Sequence, residues 1–218
     1  MNLIQRFMQV FYDLLYHPFA FTYDLVAAAV SFGKWKNWVY SILPFIEGTR
    51  ILELGHGPGH LQRILLAQPP VGNRGLFVAA IDESAQMGTL AKRRLGGSGK
   101  LTRALAQKIP FASESFDTIL STFPSEYIFD MQTLSEAHRV LRNGGRLIVL
   151  LAVWPKNPLL AWLFKVTEQS PPDAYESIKS KTNEFLARTE FNKLEAQIIE
   201  VKSDNLLIVT AKKEESKC

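Results

Sequence analysis

The sequence is poor in cysteine, with a single one at its last position, Cys218. One cysteine cannot form an intrachain disulfide and argues against a structural zinc site. No apolar run approaches the roughly 18 to 20 residues that cross a bilayer, and Arg6 and Asp13 interrupt the N-terminus before a secretory cleavage site could follow. We therefore expect a soluble or peripheral protein in the reducing cytoplasm, with association to a membrane left open.

The chain also lacks a strong charge bias. Its 25 Lys and Arg residues against 21 Asp and Glu give a net charge of +4, and the basic residues are scattered. This distribution does not favour a nucleic-acid partner, which calls for a basic cluster. With 218 residues, of which 47% are hydrophobic, the chain is long and apolar enough for one compact core.

The most informative stretch that is present is TRILELGHGPGH, residues 49–60. It predicts a short apolar strand carrying Glu53, a glycine-rich turn, and a helix that begins near Leu61. Without a Cβ atom, glycine adopts backbone angles closed to other residues and lets the chain pass close to a ligand. Such a turn delivers a ligand to the carboxyl end of a strand and the start of a helix. The turn glycines are Gly55, Gly57 and Gly59. The stretch therefore predicts a nucleotide-type pocket.

Strands and helices alternate after this turn. Further strands are predicted at residues 76–81, 101–106, 116–123 and 146–153, and the helices between them have Ser84 and Asp130 as N-caps, the second closed by residues 143–145. This alternation predicts parallel strands joined by right-handed crossovers. Residues 194–202 and 206–212 predict a terminal hairpin. The expected fold class is α/β, doubly wound and mostly parallel, ending in an antiparallel hairpin.

Aromatic residues concentrate outside the predicted sheet. Residues 1–48 contain apolar side chains at helical spacing, and prolines interrupt residues 154–172. One interpretation is that these segments pack on the main domain. Another is that part of them contacts a membrane or an apolar substrate, since their aromatic residues lie next to Arg6, Lys34 and Lys36. The two interpretations are compatible, and both stay open.

The glycine turn departs from the dinucleotide fingerprint G-x-G-x-x-G. Gly55 and Gly57 fit, but the third position is His60, and the extra glycine is Gly59. Pro58 also removes an amide donor that a pyrophosphate would use. Both departures count against NAD or FAD, and no phosphate-binding loop of the G-x-x-x-x-G-K-[ST] type occurs.

Two carboxylates point to a cofactor with a ribose and no phosphates. Asp82, at the tip of the second strand, can accept hydrogen bonds from both ribose hydroxyls. Glu53, beneath the glycine turn, is badly placed for a phosphate and well placed for a positively charged amino acid. The expected ligand is an amino-acid nucleoside that carries a cation.

Four segments resemble the class I S-adenosylmethionine-dependent methyltransferases: ILELGHGPG at 51–59, IDESAQM at 81–87, IPFASESFD at 109–117 and EAHRVLRNGGR at 136–146. The resemblance implies a Rossmann-like sheet of seven strands, S-adenosyl-L-methionine as cofactor, transferase activity and no metal. It divides the chain into a helical cap or substrate-access segment, residues 1–48, and a cofactor-binding domain, residues 49–218.

The same resemblance implies a set of cofactor contacts. Glu53 and the turn, including His56, would hold the methionine end, and Asp82 would hold the ribose. Residues that would border the adenosine or the reacting methyl group are Glu83, Met87, Ala106, Gln107, Thr122 and Phe123. Leu105 stands where the family usually has an acidic residue, so the polar contact to the adenine would be missing or supplied by Gln107.

Within the family, residues 23–33 followed by Trp38 are similar to ubiquinone/menaquinone C-methyltransferases, and bacterial phospholipid N-methyltransferases look related. This implies a small lipophilic acceptor of the quinol or phospholipid-headgroup type, with Tyr23 as a lid. Candidates for a catalytic base are Tyr23, His56, Glu126 and Tyr127. The alternative is an inactive methyltransferase-like protein that binds the cofactor or serves as a scaffold. The sequence predicts no oligomeric state.

Overall fold

The computed structural model describes residues 33–68, 75–155, 189–202 and 204–214. Tyr23, most of the predicted cap and most of the 154–172 segment lie outside the described residues. The predictions that fall on them, including the domain division at residue 48, therefore stay predictions.

Seven strands form one sheet in the order β3-β2-β1-β4-β5-β7-β6. The strands are β1 (Arg50–Leu54), β2 (Phe77–Asp82), β3 (Lys100–Arg103), β4 (Phe116–Thr122), β5 (Leu141–Pro155), β6 (Lys193–Val201) and β7 (Asp204–Lys212). β1 to β5 pair in parallel, whereas β7 pairs antiparallel with both β5 and β6. The predicted fold class, including the terminal hairpin, is confirmed.

Four α-helices are described: α1 (Trp35–Tyr40), α2 (His60–Leu66), α3 (Ala85–Leu95) and α4 (Met131–Val140). Short 3-10 helices cover Leu43–Phe45 and Glu126–Phe129. Both predicted N-caps are confirmed, since Ser84 Oγ accepts from the Met87 backbone N–H at 3.2 Å and Asp130 Oδ1 accepts from that of Gln132 at 2.8 Å.

Two predicted boundaries are wrong. β3 ends at Arg103 because its pairing with β2 ends at Asp82, after which Lys108 N–H closes a turn onto the Leu105 carbonyl at 3.1 Å. β5 begins at Leu141, five residues before the predicted start. Residues 143–145 do not close a helix; they form an irregular part of β5 held by Lys213, whose backbone bonds those of Gly144 and Gly145.

The core consists of one apolar layer on each face of the sheet. Trp38, Val39 and Ile42 of the segment before β1 are buried in the layer that also contains α2. Trp38 also donates its indole N–H to Asp204 Oδ2 at 3.0 Å, which ties α1 to the start of β7. In this part of the chain, aromatic residues pack on the main domain, as the first of the two interpretations predicts.

The strand order reverses between β1 and β4. In open α/β sheets, ligands bind outside the carboxyl ends of the strands at such a reversal. The glycine turn follows β1 at this place, so the fold positions the candidate site there. None of the described helices is long and apolar enough to cross a membrane.

Candidate cofactor site

The glycine turn joins β1 to α2 in a conformation that requires glycine. Gly55, Gly57 and Gly59 have φ angles of +70°, +50° and +82°. The backbone N–H groups of Gly55 and His56 donate to the Ile81 carbonyl at 2.9 and 3.2 Å, which fastens the turn to the end of β2. The turn is therefore anchored to the neighbouring strand.

The three glycines meet different surroundings. A Cβ atom on Gly55 would lie 2.5 Å from the Tyr127 hydroxyl, and one on Gly59 would lie 3.0 Å from the Ala91 Cβ. A Cβ atom on Gly57 would meet no atom of the described residues within 4 Å. Gly55 and Gly59 thus allow close packing beneath the turn, whereas no described residue packs against Gly57, as expected where a ligand passes the backbone.

Asp82, at the carboxyl end of β2, organises the rim of the site. Its Oδ2 accepts from the Gly57 backbone N–H at 2.8 Å, and its Oδ1 accepts from that of Ser84 at 2.8 Å. An ionised carboxylate has about four lone-pair positions, so two backbone bonds leave capacity for further donors such as ribose hydroxyls. A cavity of about 260 Å³ opens beside Asp82, with Gly88, Thr102 and Arg103 also in its wall.

Glu53 forms the floor of the site, on β1. Its side chain is 1% exposed and accepts a hydrogen bond from Gln62 Nε2 of α2 at 2.8 Å. Burial raises the pKa of Glu53 to about 8 and the nearby Asp82 adds to the increase, while the hydrogen bond from Gln62 lowers it. A positive charge at this place would offset the cost of burial and favour the ionised carboxylate.

His56 is built into the turn. It is 4% exposed, and its Nδ1 lies 2.6 Å from the carbonyl oxygen of Gly57. Because a carbonyl only accepts, this contact assigns the ring proton to Nδ1. Burial lowers the pKa of His56, opposed by Asp82 and by backbone hydrogen bonds. This geometry favours a neutral imidazole that stabilises the turn, and the hypothesis of a catalytic base stays a prediction.

The other two described base candidates differ in exposure. Tyr127 donates its hydroxyl to the Leu54 carbonyl at 3.0 Å and shares a hydrogen bond with Ser121 Oγ at 2.8 Å. The tyrosine therefore supports the end of β1 beneath Gly55, a role that sequence reasoning missed. Glu126, in the same 3-10 helix, is exposed.

On the predicted adenosine side, Met87 is fully buried on the inner face of α3. The expectation that it flanks the adenosine stays a prediction. Glu83 is exposed, and its backbone carbonyl accepts from Arg103 Nε at 2.9 Å. Glu83 therefore stays a candidate for contact with the adenosine.

The loop after β3 contains the remaining residues predicted near the adenine. Ala106 is half-buried, and Gln107 donates its amide to Asp130 Oδ2 at 3.1 Å. Leu105 is 52% exposed, so an apolar side chain faces the surroundings where the resemblance implies an acidic residue. The bond from Gln107 ties this loop to Asp130, the N-cap of α4.

An aromatic group lies at the end of β4, where the reacting methyl group is expected. Phe123 directly follows the half-buried Thr122 and has a φ of +49°, in the left-handed region that side chains rarely adopt. Its ring lies 4.6 Å from that of Trp35 and 6.3 Å from that of Trp38, centroid to centroid. Sequence reasoning identified Phe123 but not its contact with α1, although the tryptophans were visible as an aromatic stripe.

The residues that the structure brings together suit S-adenosylmethionine. No described residue fills the space beside Gly57, and Asp82 provides a carboxylate at the rim. In the buried floor, Glu53 provides an acidic group suited to a cation. Gln62, which sequence reasoning missed, also lies in the floor, bonded to Glu53. Within the described ranges, no group of three or more His, Cys, Asp or Glu side chains is arranged to hold a metal ion.

Comparison with known proteins tests this interpretation. A methyltransferase domain family model matches residues 52–149. The ubiquinone/menaquinone biosynthesis C-methyltransferase of Syntrophotalea carbinolica is 30% identical over 194 residues, which cover 81% of this chain and 80% of the relative. The chain belongs to the class I S-adenosylmethionine-dependent methyltransferases. The enzyme of the same name from Geotalea uraniireducens is 29% identical over 81% of this chain and 82% of its own.

Solved structures agree with this methyltransferase fold. An S-adenosylmethionine-dependent methyltransferase of Thermotoga maritima matches with a TM-score of 0.66 at 16% identity, covering 93% of this chain and 99% of its own. Phosphoethanolamine N-methyltransferase 2 of Haemonchus contortus, solved with S-adenosylmethionine, matches with a TM-score of 0.59 at 16% identity over 84% of this chain and 53% of its own. The cofactor of this methyltransferase is S-adenosyl-L-methionine.

Proposed function

We propose that this methyltransferase acts on a small lipophilic acceptor of the quinol type. The observation that carries the proposal is the 30% identity to a ubiquinone/menaquinone C-methyltransferase over most of both chains. The half-buried pair of Trp35 and Phe123 supports it, because a planar ring packs well against aromatic side chains. Both arguments favour a ring acceptor over a charged headgroup.

The proposed cofactor contacts follow the geometry of the turn. Glu53 would accept the ammonium group of the amino-acid end, and Asp82 would accept the ribose hydroxyls with the lone pairs that its two backbone bonds leave free. Gly57 would give the cofactor close access to the backbone. Ala106 and Gln107 would border the adenine.

When bound, S-adenosylmethionine supplies a methyl group, and its sulfonium sulfur is the leaving group that keeps the electron pair of the broken carbon–sulfur bond. The contribution of the chain is mainly to align the acceptor with that methyl group, and positioning of this kind supplies on the order of 7 to 11 kcal/mol. Phe123 and Trp35 would orient a ring and exclude water. A quinol would also lose a proton, and the exposed Glu126 and Tyr23, which lies outside the described residues, are the proposed candidates for the base.

The proposal is tested by transfer of a labelled methyl group to a panel of acceptors: a demethylmenaquinol, phosphatidylethanolamine and small soluble phenols. We expect label in the quinol fraction, and Asp82→Ala should abolish it as a control. Label in phosphatidylethanolamine alone, or in a soluble phenol alone, would contradict the quinol proposal. Binding of the cofactor with no transfer to any of them would favour the inactive scaffold alternative.

We also propose peripheral contact with a membrane, since a lipophilic acceptor resides there and the predicted cap is rich in aromatic residues, some of them next to Arg6, Lys34 and Lys36. Co-flotation with vesicles of zwitterionic and anionic lipids tests this. The protein should float with the vesicles, and removal of residues 1–32 should reduce flotation. Recovery of all the protein in the unbound fraction would refute the contact.

A further inference from the structure

Gln62 is a fully buried polar residue for which the proposed function has no role so far. It is 0% exposed on α2, and its Nε2 donates to Glu53 Oε2 at 2.8 Å. Its other polar atom, Oε1, has no hydrogen-bond partner among the described residues. A buried acceptor without a donor is destabilising, so the floor of the site is incompletely satisfied.

Rotating the amide does not remove this deficit. With its nitrogen and oxygen exchanged, the amide would present an unpartnered NH₂ group instead of an unpartnered oxygen. One end of the amide is therefore left over in either orientation. In the orientation in which Nε2 bonds the carboxyl group of Glu53, a hydrogen-bond donor placed beside Glu53 would pair with the free Oε1.

We propose that Gln62 and Glu53 together bind the ammonium group of S-adenosylmethionine: Glu53 supplies the charge, and Gln62 holds the carboxylate and offers its free oxygen as a second acceptor. An ammonium group has three N–H donors, which suits two neighbouring acceptors. The inference rests on the cofactor site proposed above and extends it to a residue outside the glycine turn.

The surroundings of Glu53 link this subsite to pH. In the sheet its neighbours are the apolar Ala80 of β2 and Leu120 of β4, and the charged group that acts on it is Asp82. Because burial raises the pKa of Glu53 to about 8, the carboxyl group is neutral at pH 7 before the cofactor arrives. Binding an ammonium ion then requires the carboxyl group to release its proton, so affinity for the cofactor rises with pH.

Two ligands separate this subsite from the rest of the site. S-adenosylhomocysteine carries the ammonium group, whereas 5′-methylthioadenosine has the same adenosine without the amino acid. Calorimetry between pH 6 and 9 should show S-adenosylhomocysteine binding about tenfold more tightly per pH unit up to about pH 8. Binding of 5′-methylthioadenosine should be nearly independent of pH, which controls for titration of His56.

Gln62→Met tests the residue itself. The variant removes the hydrogen bond that lowers the pKa of Glu53, so S-adenosylhomocysteine should bind about tenfold more weakly at pH 7.5 and its plateau should move to higher pH. Affinity for 5′-methylthioadenosine should change less than about twofold. Gln68→Met is the matched control, because Gln68 follows the same helix and its side-chain amide donates to the Ile64 carbonyl, away from Glu53.

Equal weakening of both ligands, or an unmoved pH profile, would assign Gln62 to packing alone and overturn the inference. Failure of the wild type to bind S-adenosylhomocysteine would instead refute the proposed cofactor site. If Gln62→Met does not fold, Gln62→Glu keeps the shape of the side chain and replaces the donor by an acid. The pH profile of that variant should also shift upward, and an unchanged profile would count against the proposal.

Discussion

Two carboxylates serve the same glycine turn, and their surroundings differ. Asp82, at the rim, has each oxygen bonded to a backbone N–H, from Gly57 and from Ser84. Glu53, at the floor, is buried with one amide donor, and that donor has an unsatisfied oxygen of its own. The rim is thus satisfied before the cofactor binds, while the floor is completed by it. The rim should govern affinity for the adenosine, and the floor should govern how affinity and stability respond to pH.

The largest expected effect concerns the floor. The ordinary pKa of Glu53, 4.5, rises to about 8 in the folded protein. A raised pKa stabilises the fold fully below about pH 4.5, and this stability is lost as pH rises to about 8. Glu53→Gln does not titrate, so its stability relative to wild type should increase by on the order of 4 kcal/mol over this range.

Urea unfolding of Glu53→Gln and wild type at pH 5 and pH 8 measures this difference. Glu126→Gln, at an exposed carboxyl group, controls for the removal of one charge. A constant difference in the free energy of unfolding between Glu53→Gln and wild type would show that the carboxyl group is not held neutral, and the contrast between floor and rim would fail.

The next effect concerns the packing beneath the turn. Gly55→Ala should lower the free energy of unfolding by about 3 kcal/mol, because its Cβ would collide with the Tyr127 hydroxyl and because the left-handed backbone is strained. Gly57→Ala introduces the backbone strain without the collision, so its free energy of unfolding should fall by about 1 to 2 kcal/mol. Thermal and urea unfolding of both variants compare them. Equal losses would mean that Tyr127 moves away freely.

Asp82→Ala tests the rim. It removes acceptors for two backbone N–H groups and for the ribose, so S-adenosylhomocysteine and 5′-methylthioadenosine should both bind on the order of 100-fold more weakly. Asp82→Ala should thus weaken both ligands alike, whereas Gln62→Met should weaken S-adenosylhomocysteine and leave 5′-methylthioadenosine nearly unchanged. Calorimetry with both ligands measures it, and unchanged binding of 5′-methylthioadenosine would exclude Asp82 from the adenosine site.

The smallest expected effect separates two hydrogen bonds of Ser84. Its side chain caps α3, and its backbone N–H donates to Asp82. Ser84→Ala removes the N-cap of α3 and should lower the free energy of unfolding by about 1 kcal/mol. It keeps the backbone N–H that bonds Asp82, so cofactor affinity should change less than about twofold. Arg93→Ala, at an exposed position of α3 outside the wall of the cavity beside Asp82, is the control. A large loss of affinity in Ser84→Ala would mean that the side chain contributes to the rim directly.

The fold was predictable from sequence because its signals are local. The glycine turn after β1, the caps at Ser84 and Asp130, and the alternation of apolar segments each depend on neighbouring residues. The start of β5 was not predictable, because Lys213, far along the chain, holds its first residues in place. A pair of glycines at 144–145 looks the same in sequence whether it ends a helix or lies within an irregular strand.

The candidate site was predictable where strand ends determine it and not where tertiary contacts do. Glu53 and Asp82 follow from their places on β1 and β2. Gln62 and Tyr127 became visible only when α2 and the loop after β4 were brought against β1. The full burial of Met87 likewise became visible only in the packed structure, because an apolar residue early in a helix can face a ligand or the core.

The contact between Gly55 and Tyr127 constrains how this site can change, in evolution or by design. The phenol fills the volume that a side chain at position 55 would need, and its hydroxyl reaches the last carbonyl of β1. A smaller residue at 127 would open a void below the cofactor, and a larger one at 55 would expel the ring. The loop after β4, which would border the acceptor in the proposed site, is thereby mechanically coupled to the glycine turn. Attempts to widen acceptor range through this loop should keep Tyr127 or redesign both positions as a pair.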